Sequence, residues 1–134
     1  MSFEEIEHTA DNAIRIFGAN LQVLFISAAQ GMAGLMVGNV AEVSTEVEKS
    51  VELDAIDAES LLVEWLSELA FWAETEMLVF TQFEIKNLTA THLQANICGG
   101  KVSVLEKHIK AVTYHNLKII KTPQGMETTI VFDV

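Results

Sequence analysis

Residues 8–11 read HTAD, and the chain closes on VFDV. His8 and Asp11 are titratable groups set between two short apolar-alternating stretches. Asp133 follows the apolar run Ile130-Val131-Phe132. A charge that ends a buried strand needs solvent or a ligand at that end. If the last strand pairs near the second, Asp11 and Asp133 meet at one rim of a sheet, with the carboxylate of Val134 beside them. Three anionic groups gathered in one place repel unless protons or a cation neutralise them. Oxygen donors of this kind suit a hard cation such as Ca²⁺, Mg²⁺ or Mn²⁺. Separate, solvated carboxylates are the default against which that site is weighed. His8 equally serves its own turn by donating to Asp11.

The other reactive side chains read more quietly. His108 and His115 flank KAVTY, with Lys107 and Lys110 close by. That cationic group fits a phosphate or carboxylate contact, or pairing with local acids. His92 reads as a surface residue. Cys98 is the one cysteine, at an apolar strand end beside Gly99, and reads as a buried, inert thiol. Trp65 and Trp72 have helical spacing and read as core. Glu64, Glu68, Glu74 and Glu76 read as a solvated helix face, with a basic protein partner as the alternative. The chain carries no nucleophile elbow, Walker phosphate loop, H-E-x-x-H or cysteine pair.

Composition bounds the classes of function. The 134 residues suit one domain spanning 1–134, and half of them are hydrophobic. Nineteen acids against eight bases give a net charge of −11. Such a surface repels a phosphate backbone, so direct nucleic-acid binding is not expected. A basic protein partner or a cation suits it better. No apolar run approaches the ~18 residues of a membrane span. The acidic start MSFEEIE is unlike a signal peptide, and a lone cysteine suits a reducing, cytoplasmic setting.

The elements that must position these groups follow from periodicity. Residues 2–7 and 12–18 alternate as strands, with Ile14 and Ile16 on one face. Asn20 caps a helix whose apolar residues Leu21, Leu24, Phe25, Ala28, Met32, Leu35 and Met36 recur at three- and four-residue steps, and Gly38 stops it. Gly31 and Gly34 inside it point to close packing on a sheet. Residues 43–54 alternate as a strand with one wet face. Asp57 caps a second helix with a stripe from Leu61 through Trp65 and Phe71 to Ala73. Residues 78–88 and 91–98 form two strands, the second ended by Gly99-Gly100. Residues 109–121 predict one long strand, and the turn Thr122-Pro123-Gln124-Gly125 leads into the last. The order ββαβαββββ reads as an α+β fold: a two-layer sandwich with a mostly antiparallel sheet and two helices on one face.

Four segments in register also carry a resemblance: HTAD at 8–11, LLVEWLSEL at 61–69, KAVTYHNLKI at 110–119 and VFDV at 131–134. Together they resemble the archease family over nearly the whole chain. One departure is visible, since only Ile109 separates His108 from Lys110 where many archeases carry several more residues. That shortens a loop near the proposed site and leaves the family roles of Lys107 and His108 open. The resemblance implies a protein cofactor of the tRNA-splicing RNA ligase, an enzyme that uses GTP and Mn²⁺ and passes through a guanylylated histidine. The cofactor promotes guanylylation and multiple turnover without catalysing ligation. The family's metal positions fall on Asp11, Asp133 and Val134, with His8, Lys110 and His115 as supporting groups. The resemblance also implies an alternative, a chaperone or modulator of a tRNA cytosine methyltransferase. A small metal-dependent hydrolase using the same carboxylates is a third reading, weakened by the lack of a general base beside a nucleophile.

Overall fold

The computed structural model describes residues 2–7, 12–114 and 116–134. Strand β1 (Ser2–Glu7) pairs antiparallel with β2 (Asn12–Gly18). Helix α1 (Leu21–Val37) follows, then a single 3-10 turn (Val40–Glu42), β3 (Val47–Asp54) and helix α2 (Ala58–Glu76). The second half holds β4 (Leu78–Leu88), β5 (His92–Lys101), β6 (Ala111–Thr113), β7 (Ile120–Thr122) and β8 (Gly125–Asp133).

The α+β class and the antiparallel pairing agree with the sequence reading. The strands divide, however, between two sheets. The larger has the order β1-β2-β8-β6, with β7 also paired to β8. The smaller has the order β3-β5-β4. Both helices pack against strands of both sheets. Helix α1 is therefore buried on more than the single face its periodicity predicts: Ala29, Gly31 and Ala33 are enclosed along with Leu24, Phe25, Ala28, Met32, Leu35 and Met36.

Local chemistry sets the helix ends where expected. The Asn20 side chain accepts a bond from the Val23 amide at 2.9 Å, and Asp57 accepts one from the Ser60 amide at 2.7 Å. Each satisfies an amide that has no partner within its own helix. Gly38 closes α1 at φ 76°, a conformation other side chains resist. The helices are tied together by Trp65, which is fully buried and donates its indole N–H to the Phe25 carbonyl at 3.0 Å. Its ring meets Phe83 edge-on at 5.8 Å, so β4 joins the same contact. Trp72, by contrast, is only partly buried, with the Lys49 ammonium 4.1 Å above its ring. Phe71 leaves the expected stripe altogether and is 54% exposed.

Two strands differ from their sequence patterns. The predicted strand over 109–121 is broken into β6 and β7. The chain turns between them, with Asn116 at φ 60° and the Leu117 amide donating to the Tyr114 carbonyl at 3.1 Å. This turn buries Leu117, which an unbroken strand would not require. Conversely, Gly99 and Gly100 do not end β5 but lie within it. Gly99 sits where the β4 backbone at Val79 and Phe80 leaves no room for a Cβ. No helix among the described residues is long and apolar enough to cross a membrane.

The two glycines inside α1 differ in a way that can be tested. A Cβ at Gly31 would meet Ile14 Cδ1 at 2.8 Å, whereas one at Gly34 would meet nothing within 4 Å. Gly34→Ala should stabilise the fold by up to about 1 kcal/mol, by helix propensity alone. Gly31→Ala should destabilise it, because the fully buried Ile14 side chain must shift to admit the added methyl. Urea unfolding of both variants checks the pair; equal shifts would contradict the packing described.

Candidate functional site

Strand β8 carries Asp133 to one end of the large sheet. Its inward face is apolar, with Ile130 and Phe132 fully buried beside Ile14 and Ile16 of β2. Burial of such side chains stabilises by roughly 1.5–3 kcal/mol each, which fixes the strand pair and its register. In that register Ile14 faces Ile130, and Asn12 faces Phe132. Asn12 follows Asp11 in the chain, and Phe132 precedes Asp133. On the far side, Ala111 of β6 faces Asp133, and the Lys110 amide donates to the Asp133 carbonyl at 2.7 Å.

The Asp133 side chain is exposed and, among the described residues, forms no salt bridge. Val134 is half-buried and packs against the core. Lys110 lies beside Asp133 through its main chain, with its side chain exposed. His8, Asp11 and His115 fall outside the described residues. Among the described residues, no three His, Cys, Asp or Glu side chains gather as a metal cluster.

The remaining titratable groups take local partners. His108 Nδ1 lies 3.1 Å from Glu74 Oε1 and 3.2 Å from Oε2, which is the pairing with a local acid. This contact pins the segment after β5 to the end of α2. His92 bridges Asp54 at 2.8 Å and Glu52 at 3.4 Å on the outer face of the small sheet; pairs so exposed contribute about 0–1 kcal/mol. Sequence reading missed the Ser60 contact: its hydroxyl donates to Tyr114 Oη at 3.2 Å, joining the first turn of α2 to the chain beyond β6. The Ser60 side chain and amide hold the Asp57 carboxyl below its usual range. Glu59 accepts a bond from the Ile119 amide at 3.1 Å, so it too braces this corner. Neither contact has a sequence signal, because both join segments more than fifty residues apart.

A wide, open concavity lies elsewhere. It measures about 810 Å³ at the opposite end of β2 and β8, between Phe17–Ala19, Val23 and the Thr122–Gln124 turn. Glu127 is its one charged lining residue among those described. Its walls hold no paired acid and base, so it offers little chemistry, and the candidate site is instead an open rim.

Comparison with known proteins gives a consistent result. A family model described as "Archease protein family (MTH1598/TM1083)" matches residues 3–134. A protein archease of Methanosarcina mazei is 34% identical over 140 residues, covering 98% of this chain and 95% of its own. One of Pyrococcus abyssi is 38% identical over 131 residues, covering 92% and 91%. The solution structure of protein 1598 of Methanobacterium thermoautotrophicum matches with a TM-score of 0.79 at 28% identity, covering 98% of both chains. A crystal structure from Thermotoga maritima, described as an archease and possible chaperone, matches with a TM-score of 0.68 over 96% of this chain and 94% of that one. At 24% identity that second likeness concerns the fold.

Cys98 gives a direct test of the local electrostatics. Burial pushes its thiol above the ordinary value, and the Glu48 carboxylate 3.7 Å away adds to the rise. Alkylation by iodoacetamide at pH 8.5 should be slower than for free cysteine. Glu48→Gln should speed it, by removing the second cause. Equal rates for the protein and its variant would contradict this placement.

Proposed function

This chain belongs to the archease family, and from that premise we propose that it is a non-catalytic cofactor of a GTP- and manganese-dependent tRNA-splicing RNA ligase. In this reading it promotes guanylylation and multiple turnover. The observation that carries the reading is the register of β2 on β8. Asn12 faces Phe132, so the chain neighbours of Asp11 and Asp133 are direct partners across the sheet.

The chemistry of the donor set fits a hard divalent cation. Asp133 offers carboxylate oxygens at an exposed strand end, and oxygen donors of that kind suit a hard cation. Asp11 and Asp133 would hold the ion, with Val134 assisting and His8, Lys110 and His115 in support. When bound, the ion supplies a positive centre that can act on phosphate oxygens of a nucleotide triphosphate. The chain's own part is to orient and to steer. The β2–β8 pair fixes where the Asp133 carboxylate stands, and the Lys110 amide fixes its main chain. The net charge of −11 draws the rim toward a basic surface on the enzyme, and such attraction strengthens where water is excluded.

A helper of another protein is the form this reading shares with the chaperone description given to the Thermotoga relative. The methyltransferase alternative would act through the acidic face of α2, so that reversing Glu64 or Glu68 would matter more to it than altering Asp11.

Asp133→Ala should leave stability within about 0.5 kcal/mol, since the side chain is exposed and away from the core. It should return ligation under multiple turnover to the rate of the ligase alone. Asp11→Ala should do the same. Full activation by either variant would refute the role, and titration with Mn²⁺ should show binding by the native chain that Asp133→Ala weakens.

A further inference from the structure

We propose that a groove on the outer face of the large sheet, where Arg15 and Lys118 meet, binds a nucleoside triphosphate. The binding stands on the groove's own residues; its use in guanylylation rests on the ligase reading. The groove measures about 560 Å³ and is lined by Arg15, Asn116, Lys118, Ile120, Glu127 and Thr129, among others. Sites for small ligands run from roughly 300 to 1,000 Å³, so a mononucleotide is of fitting size.

The fold brings the cations there. Arg15 is the one arginine in a chain whose net charge is −11. It stands on the outer face of β2 because its neighbours Ile14 and Ile16 are buried on the inner one. Its register partners are Glu4 on β1 and Thr129 on β8. Among the described residues, the groove is walled on the β8 side. Lys118 reaches the same place from the turn that breaks the predicted strand over 109–121. The buried Thr128 hydroxyl donates to the Lys118 carbonyl at 2.7 Å and pins that segment onto β8. Asn116, at φ 60°, belongs to the same turn. His108 is taken by Glu74, whereas Lys118 forms no salt bridge among the described residues.

The groove has two unlike ends. Along β8, Thr129 faces Arg15, and two residues earlier Glu127 faces Ile120, about 7 Å away by strand rise. The first end offers a guanidinium fork, an ammonium and a hydroxyl, all donors, which suit phosphate oxygens. At the second end Ile120 is 55% exposed and gives an apolar seat for a base. The Glu127 carboxylate beside it can accept from ribose hydroxyls, as acids do in dinucleotide folds. A bare phosphate has no use for that carboxylate, but a nucleotide does. Orientation follows from the strand. Thr129, Val131 and Asp133 alternate onto one face of β8, with Thr129 about 13 Å from Asp133 by strand rise. The phosphate end of the groove is therefore the end nearer the carboxylate rim.

The test is calorimetric titration of the purified chain with GTP in EDTA, which keeps metal off the rim. GTP should bind, and guanosine should bind at least about tenfold more weakly. Arg15→Gln and Lys118→Gln should each weaken GTP binding about tenfold, with melting temperatures unchanged because both side chains are exposed. Asp133→Ala should bind GTP like the native chain yet fail to activate the ligase. Native-strength binding by Arg15→Gln, or guanosine equal to GTP, would overturn the groove while leaving the ligase reading intact. Inorganic triphosphate bound as tightly as GTP would overturn the nucleotide in favour of a phosphate group alone. No binding at about 1 mM GTP would overturn the site altogether. A native chain that binds GTP but never activates the ligase would sink the ligase reading and leave the groove standing.

Discussion

The pairing of β2 with β8 is the constraint on which the rest of the molecule depends. It joins residues 12–18 to residues 126–132, and it does so through side chains that water cannot reach. A slip of β8 by one residue would turn Ile130 and Phe132 outward while Ile14 and Ile16 of β2 stayed inside. The cost of exposing two such groups is about 3–6 kcal/mol, a large share of the whole stability of a small domain. The position of Asp133 is therefore set by the apolar core behind it. A carboxylate at a strand end has no packing of its own to hold it, and here the register supplies what packing cannot.

Much of this was legible in the residues. Alternation placed β2 at its observed bounds, and Asn20, Gly38 and Asp57 marked their helix ends because capping is local chemistry. The exposed place of Asp133 at a strand end was legible for a related reason, since a charge after an apolar run marks where the strand reaches water. Where the sequence misled, distant contacts decided. The alternation over 109–121 continues through Asn116, yet the burial of Leu117 beneath the turn outweighs strand propensity. The glycines of β5 look like a stop, but they answer to the backbone of β4 lying against them. Phe71 fits the apolar stripe of α2 by spacing and is still half outside. The division into two sheets has no local signature at all, because each strand alternates in the same way whichever sheet it joins.

Helix α2 is the element on which these levels meet. One side is anchored by Trp65, through a hydrogen bond to α1 and an edge-on contact with Phe83. The other side keeps its acids in water and holds the chain around β6 by Ser60, Glu59 and Glu74. A rigid inner face thus supports an outer face whose polar contacts are individually weak. Together they fix the strand that borders Asp133.

The two sheets also differ in when they can form. The small sheet is closed by neighbours, with β4 and β5 joined by a short turn at Thr89–Thr91. The large sheet sets β2 between β1 and β8, so its centre stays incomplete until residues 125–133 have been synthesised. Non-local pairing of this kind is slow, because the entropy of closing a long loop comes before any reward. On the ribosome, Ile14 and Ile16 wait with one flank unpaired while most of the chain emerges, and the rim carrying Asp133 is the last part of the sheet to be built.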